Sequence, residues 1–372
     1  MMKSYIWSIP TRVFHILFAL FILLAFLTGD EDRFLNYHAV IGYFVFILLS
    51  FRIIWGFFGP KHSRFKDFPL SIKKAKDFML TIFEKKQNYV GHNPMASYVM
   101  VAMLVVTFLI ILSGVLTFGI QEGKGLFSYL NSSMFKEMDL FKEIHEILSN
   151  LLIALIAAHL GGVVFDRLFH KKDETLNSIV TGYKVTSEDN SISLNMFQKT
   201  IFIFFVLLFV GFVIFNINQP KNLLVASVYT PIDYKVQNEL FVTECGSCHT
   251  LYTPNLLPKK SWRLIMSDLE NHFGDDASLE KEDNISILNF LLKNSAEEST
   301  KEVSFKILDS IKNKDIIAIS DTVFWKHTHK DIPKTLFSHE QIKSKANCKA
   351  CHLDIEKGLI EDENIKSIDS FK

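Results

Sequence analysis

The stretch HEILSNLLIALIAAH, residues 145–159, places two histidines 14 positions apart in a segment that is otherwise mostly apolar. In a helix, with about 100° and 1.5 Å per residue, both imidazoles face one side and lie roughly 21 Å apart along the axis. Histidine inside an apolar span is costly and by default indicates function. The spacing favours two haem groups, one near each membrane surface; the alternative is that each histidine is an interfacial or hydrogen-bonded residue.

Five apolar stretches of the chain are long enough, or nearly so, to span a bilayer. They cover residues 11–29, 38–59, 95–120, 145–166 and 199–217. The first differs from a secretory signal because it lacks a small-residue cleavage site and contains His15, so we expect a retained helix. The pattern predicts an all-α protein with a four-helix transmembrane haem-binding bundle and a fifth, tethering transmembrane helix.

The basic residues predict the orientation of these helices. Segment 60–94 carries eight Lys and Arg against three acids, and segment 167–199 carries five Lys and Arg. The loops 30–37 and 121–144 hold only one and three basic residues. Because cytoplasmic loops are enriched in Lys and Arg, we expect a cytoplasmic N-terminus. Five crossings then place residue 221 and those after it in the periplasm of a bacterium, outside its inner membrane.

Depth in the bilayer predicts which histidines pair. Helix four starts outside, so His145 lies near the outer surface and His159 near the inner one. His15 lies early in helix one, at the inner level, and His38 starts helix two, at the outer level. The expected pairs are His15 with His159 and His38 with His145, each ligating one non-covalent haem b inside the bundle.

Two CxxCH pentapeptides, residues 245–249 and 348–352, use all four cysteines of the chain. Each is typical of a c-type haem attachment site, in which both thiols bond to the haem and the histidine ligates the iron. The pattern predicts covalent haem on Cys245 with Cys248 and on Cys348 with Cys351, with His249 and His352 as iron ligands. The alternatives are a dithiol redox pair and a zinc site.

The rest of the C-terminal part predicts a mainly helical, loop-rich domain around the two haem c groups. Candidates for the sixth iron ligand are His272, His327, His329, His339 and Met266. The chain has no formal net charge, but residues 221–372 carry 20 basic residues against 24 acids, a balance that favours a basic partner. The expected domains are 1–190 for the four-helix bundle, 191–220 for the fifth helix and tether, and 221–372 for the periplasmic dihaem domain.

Residues 5–185 resemble the bacterial cytochrome b561 and nickel-iron hydrogenase cytochrome b superfamily. The resemblance lies in WSIPTRVFH (7–15), HAVIG (38–42), RIIWGFFG (52–59), GHNP (91–94) and the segment from His145 to His159. It implies that His15, His38, His145 and His159 hold two b haems, and that electron transfer across the membrane is linked to quinone.

Residues 239–368 resemble the bacterial dihaem cytochrome c family that partners small soluble haem proteins. The matching stretches are ECGSCH (244–249), LLPKKSWRLIM (256–266), LENHFGDD (269–276), WKHTHKDIP (325–333) and KANCKACH (345–352). The resemblance implies bis-histidine ligation, with His272 and His329 in the distal positions. We pair His272 with the first haem c and His329 with the second; crossed ligation and His327 stay open as alternatives.

These observations predict an electron-transfer cytochrome that contains two b and two c haems. Its expected partners are the quinone pool or an associated dehydrogenase or hydrogenase on one side, and a soluble periplasmic cytochrome or haem protein on the other. An electron carrier is favoured over a stand-alone enzyme, with quinol–cytochrome oxidoreductase as the enzymatic form; no catalytic acid–base or nucleophile constellation and no nucleic-acid partner are expected. The alternatives are a haem enzyme or gas-binding sensor, and a membrane subunit of a larger oxidoreductase.

Overall fold

The computed structural model describes residues 2–83, 89–132, 140–169, 175–311 and 314–371. Contacts divide the chain into two compact units. The N-terminal unit comprises Met1–Leu116 and Leu140–Val225, and the C-terminal unit comprises Thr117–Asp139 and Ala226–Lys372. Part of the segment between two long helices therefore belongs to the C-terminal unit.

Among the described residues, five long helices within the first 225 positions are apolar enough to cross a membrane. In chain order the α-helices of this part are α1 Ile9–Thr28, α2 Leu35–Phe58, α3 Ile72–Leu80, α4 Pro94–Ile120, α5 Leu140–Phe169, α6 Thr175–Thr181 and α7 Met196–Asn218. Proline lies in the first turn of α1 and begins α4, where its missing N–H costs no hydrogen bond. The five spans correspond to the five predicted stretches, and the predicted all-α class is confirmed.

Aromatic side chains join α1, α2 and α7 in the N-terminal unit. Phe14 of α1, Phe51 and Trp55 of α2, and Phe205 of α7 form one buried cluster. Helix α7 begins with a reciprocal cap: Asn195 accepts a hydrogen bond from the N–H of Gln198, whose side chain accepts from the N–H of Asn195. The fifth helix is therefore a packed member of this unit.

A short antiparallel strand pair also lies in the N-terminal unit. Strand β1, Met2–Tyr5, pairs with β2, Tyr183–Thr186, with Met2 opposite Thr186. Close by, the indole Nε1 of Trp7 donates a hydrogen bond to the Ser178 hydroxyl over 3.1 Å. Residues 2–7 are thus fixed to the segment that follows α5.

The C-terminal unit consists of short helices joined by long loops. Its α-helices are α8 Tyr234–Gln237, α9 Glu239–Cys245, α10 Lys259–Ser267, α11 Lys281–Lys293, α12 Glu302–Ile311 and α13 Val323–Thr328. Phe241, Trp262, Ile287 and Leu291 centre its main core, and Leu256, Ile307, Ile311 and Ile355 form a second cluster. This fold matches the predicted helical, loop-rich domain.

The segment 117–132 packs against residues far along the chain. The N–H of Gly125 donates to the carbonyl of Ala226 over 2.9 Å, and that of Val228 donates to the carbonyl of Gly123 over 2.8 Å. A buried salt bridge of 2.5 Å joins Lys124 to Glu361. Backbone pairing and an ion pair thus tie this segment into the C-terminal unit.

Candidate functional site

Four histidine pairs have nearly the same spacing. Their ring centroids lie 6.3 Å apart for His15 and His159, 6.1 Å for His38 and His145, 6.2 Å for His249 and His272, and 6.1 Å for His329 and His352. A metal–imidazole bond of about 2 Å, with the nitrogen about 1 Å from the ring centre, gives roughly 6 Å between two rings that share one metal ion. Each pair therefore leaves room for one iron between its rings.

In the pair on α2 and α5, both histidine rings are hydrogen-bonded through Nδ1. Nδ1 of His38 lies 3.0 Å from the carbonyl oxygen of Ala25, and Nδ1 of His145 lies 3.0 Å from that of Ile110. A carbonyl oxygen only accepts, so each Nδ1 carries the proton and each Nε2 keeps a lone pair. Such contacts fix the tautomer and the ring orientation of a metal ligand.

Two glycines pack against these rings. A Cβ added at Gly114 of α4 would lie 2.8 Å from Cε1 of His145, and one added at Gly29 would lie 3.4 Å from Cε1 of His38. Only glycine therefore leaves His145 its present position. Nothing in the sequence indicates the contact between Gly114 and His145.

Two further residues, Arg52 and His92, lie in the same unit as the pair on α1 and α5. Arg52 is only 6% exposed; it donates a hydrogen bond to the carbonyl of Ser63 over 3.2 Å. The ring of His92 packs against Trp7 and Phe68, with centroids 4.8 Å away in each case. Burial, together with positive neighbours of which Arg52 is the largest contributor, lowers the pKa of His92 to about 3. His92 is therefore neutral, and Arg52 is buried.

The first CxxCH segment follows α9. His249 has Nδ1 2.7 Å from the carbonyl oxygen of Thr250, which leaves Nε2 free, and its ring is tilted only 23° from that of His272. The backbone at Phe273, next to His272, has a φ of 54°, in the left-handed region. A tight turn thus brings His272 towards the first CxxCH segment.

The second CxxCH segment faces the end of α13. His329 ends this helix, with Nδ1 2.9 Å from the carbonyl oxygen of Trp325, and the Trp325 ring stacks on it at 4.4 Å and 14°. These contacts hold His329 towards His352. The other candidates lie elsewhere: His327 is exposed, His339 lies against Phe371, and Met266 is buried in the main core.

The two CxxCH segments touch along a seam. The Tyr252 hydroxyl donates to the carbonyl of Ala346 over 2.9 Å, and the Thr250 hydroxyl lies 3.4 Å from the Asn347 side-chain oxygen. The ring of Tyr252 also packs on His249, with centroids 5.0 Å apart. Residues that follow the first motif therefore support the start of the second, and the two sites are neighbours.

The surroundings of the cysteines bear on the zinc alternative. None of the four, which lie within the described residues, is in a disulfide bond. In the described part of the chain, no three His, Cys, Asp or Glu side chains come together as ligands of a single metal ion. A zinc site needs about four such ligands, so the described residues do not supply one.

Comparison with known proteins identifies two families. Residues 6–182 match the family model of prokaryotic cytochrome b561, and residues 241–360 match that of dihaem cytochrome c. A solved dihaem cytochrome c from Rhodobacter sphaeroides is 33% identical over 35% of this chain and 99% of its own, with a TM-score of 0.30. One from Shewanella baltica is 31% identical over 35% of this chain and 92% of its own, with a TM-score of 0.29. No protein with a curated description matches the chain.

Proposed function

We propose that this chain, which belongs to the dihaem cytochrome c family through residues 241–360, carries electrons between the quinone pool and a soluble periplasmic redox protein. Residues 6–182 form a prokaryotic cytochrome b561 domain. The two families establish a membrane electron-transfer cytochrome with haem b and haem c. The quinone pool, the periplasmic acceptor and the number of haems are the finer part of the proposal. An associated dehydrogenase or hydrogenase is the alternative partner on the membrane side.

The observation that carries the proposal is the common spacing of the four histidine pairs. His15 with His159 and His38 with His145 would hold two b haems. His249 with His272 and His352 with His329 would hold two c haems, attached through Cys245, Cys248, Cys348 and Cys351. Bound haem supplies one-electron exchange at its iron.

The protein's own contribution is to keep the ligands fixed. Carbonyl oxygens accept from Nδ1 of His38, His145, His249 and His329, which prevents these rings from turning. Two histidines at each iron would leave no open position for a substrate or a gas. This arrangement favours electron transfer over ligand chemistry.

Arg52 is suited to an anionic group of the inner b haem. It is buried and basic, and it lies in the unit that contains the pair of His15 and His159. A buried guanidinium needs an anion or several acceptors, and only the hydrogen bond to Ser63 is seen among the described residues. A haem propionate would supply the negative charge.

The proposed location is the bacterial inner membrane, with the N-terminus in the cytoplasm and the C-terminal unit in the periplasm. The support is the charge of the connecting segments: eight basic residues in 60–94 and five in 167–199, against one in 30–37. The proposed parts of the chain stay 1–190, 191–220 and 221–372.

A haem count tests the proposal. Purified protein is assayed by pyridine haemochrome after acid–acetone extraction, which separates b haem from covalent haem. We expect two extractable and two covalent haems per chain, and no spectral change when carbon monoxide is added to the reduced protein. Two covalent haems with no extractable haem would show that the four histidines of the long helices are structural, and a carbon monoxide complex would show an open iron site.

A further inference from the structure

The surface around the second CxxCH motif has a charge opposite to that of its domain. Residues 325–352 carry six lysines against two acids, a net charge of +4, whereas residues 221–372 as a whole carry −4. The six lysines, which we name the basic face, are Lys326, Lys330, Lys334, Lys343, Lys345 and Lys349, and all six are exposed. Lys326 pairs with Asp321 over 3.6 Å and Lys349 with Glu356 over 3.0 Å, so the positive charge of this face comes mainly from the other four. The net charge of the domain therefore does not describe this surface.

Sequence position and one contact place the basic face beside the second haem site. Lys349 lies between Cys348 and Cys351 in sequence, and Lys330 directly follows His329. The ammonium of Lys345 lies 5.8 Å from the ring centre of Trp325, which itself stacks on His329. Leu353, next to His352, is 63% exposed and adds an apolar contact among these charges.

The first haem site has the reverse charge. Residues 268–283, which include His272, carry seven acids against one lysine, and most of these acids are exposed. The two sites thus have opposite charges within one unit. Because opposite charges guide diffusional encounter, a charged protein is attracted to one site and repelled by the other.

We infer that the basic face is the docking surface of an acidic soluble redox protein, which binds at the second haem c site rather than the first. This inference rests on the proposed function. An apolar contact rimmed by charges suits a small, transient interface that forms and dissociates rapidly. Anionic lipid is a poorer occupant, since lysine clusters that bind lipid lie directly beside a membrane helix or on an amphipathic helix, whereas the basic face follows the last long helix by more than 100 residues of sequence.

Binding of one probe protein in two charge forms tests the inference. The probe is mitochondrial cytochrome c, used untreated, when it is basic, and with its lysines succinylated, when it is acidic. Full-length protein in detergent is immobilised, and the Kd of each form is measured by surface plasmon resonance at low and physiological ionic strength. We expect tighter binding of the acidic form, weakened by salt because charges beyond about 8 Å are screened at 0.15 M.

A matched pair of double variants locates the surface. Lys330→Glu with Lys334→Glu should raise the Kd of the acidic form roughly tenfold at low salt. The control, Lys281→Glu with Lys293→Glu, changes the net charge by the same amount at exposed positions of α11. It should leave the Kd of the acidic form within about twofold of that of the unsubstituted protein. Equal weakening by both pairs, or tighter binding of the basic form, would overturn the inference.

Two further outcomes separate the inference from its premise. Capture of anionic phosphatidylglycerol vesicles through the same lysines, with no binding of either cytochrome, would overturn docking of a protein. A preparation without covalent haem would contradict the proposed function, while the comparison of Kd values would still decide where an acidic protein binds.

Discussion

At the scale of single residues, Gly114 sets the room available to His145. The ring cannot move back from an added Cβ without lengthening its 3.0 Å hydrogen bond to the carbonyl of Ile110. Overpacking of this kind costs about 1–3 kcal/mol. A single hydrogen atom in place of a methyl group therefore decides whether the ring can face His38.

Gly114→Ala should reduce the extractable haem from about two per chain towards one, because the displaced His145 would no longer align with His38. The covalent haem should not change. Gly211→Ala is the control, since a Cβ at that position of α7 meets no atom within 4 Å. An unchanged haem content and spectrum in Gly114→Ala would show that His145 is not a ligand.

His159→Ala should remove one extractable haem and leave both covalent haems. The reason is that the iron held by His15 would lose its second histidine ligand, while the two CxxCH segments lie in the other unit. Haem staining of a denaturing gel, together with extraction, measures both. Loss of covalent stain at an unchanged protein level would contradict the independence of the two units.

At the scale of elements, the short helix α13 positions His329. Thr322 is fully buried and caps it: its hydroxyl accepts a hydrogen bond from the N–H of Trp325 over 3.1 Å and donates to the carbonyl of Ile319 over 2.8 Å. An N-cap of this kind contributes about 1 kcal/mol. Together with the Trp325 contacts, this cap holds the six-residue helix and His329, which directly follows it.

Thr322→Ala should loosen His329 and allow carbon monoxide to bind the reduced covalent haem in a fraction of the molecules. The expected loss of stability is about 1–2 kcal/mol, measured by thermal unfolding. Ser71→Ala removes a more exposed cap, which accepts from the N–H of Lys74 over 3.5 Å, from α3 in the other unit, and serves as the control. If carbon monoxide binds neither variant while Thr322→Ala melts earlier, the cap stabilises the fold without positioning the ligand.

Long helices and their histidines could be predicted from sequence, whereas their supporting contacts could not. A bilayer requires about 20 apolar residues in a row, so α1, α2, α4, α5 and α7 are visible as local composition. The pairs that depth predicted are also adjacent in the structure. In contrast, the carbonyls of Ala25 and Ile110 and the strand pair β1–β2 depend on partners far away in sequence, and no local pattern indicates them.

At the scale of the whole molecule, the C-terminal unit is assembled from two distant parts of the chain. Half-buried in the contact between them is Glu122, whose neighbours include Glu302, Asp362, Lys124 and Tyr229. Burial first, and then the charge of Glu302, raise the pKa of Glu122 to about 8. Folding therefore keeps this carboxyl protonated at neutral pH.

The stability of the C-terminal unit should fall as the pH rises from about 4.5 to about 8. In this window the unfolded chain has already released the proton of Glu122, whereas the folded chain still holds it. A rising pH therefore lowers the free energy of unfolding. Glu122→Gln should flatten that slope, and Glu270→Gln, at an exposed position of the same unit, should not. Thermal unfolding across the pH range measures the effect; identical slopes in all three proteins would show that Glu122 does not control it.

The seam between the CxxCH segments has a consequence for biogenesis. Thr250 meets Asn347, which is 97 residues later in the chain, so the seam cannot close until both CxxCH segments have been synthesised. The last part of the chain is therefore needed to complete the packing around the first motif.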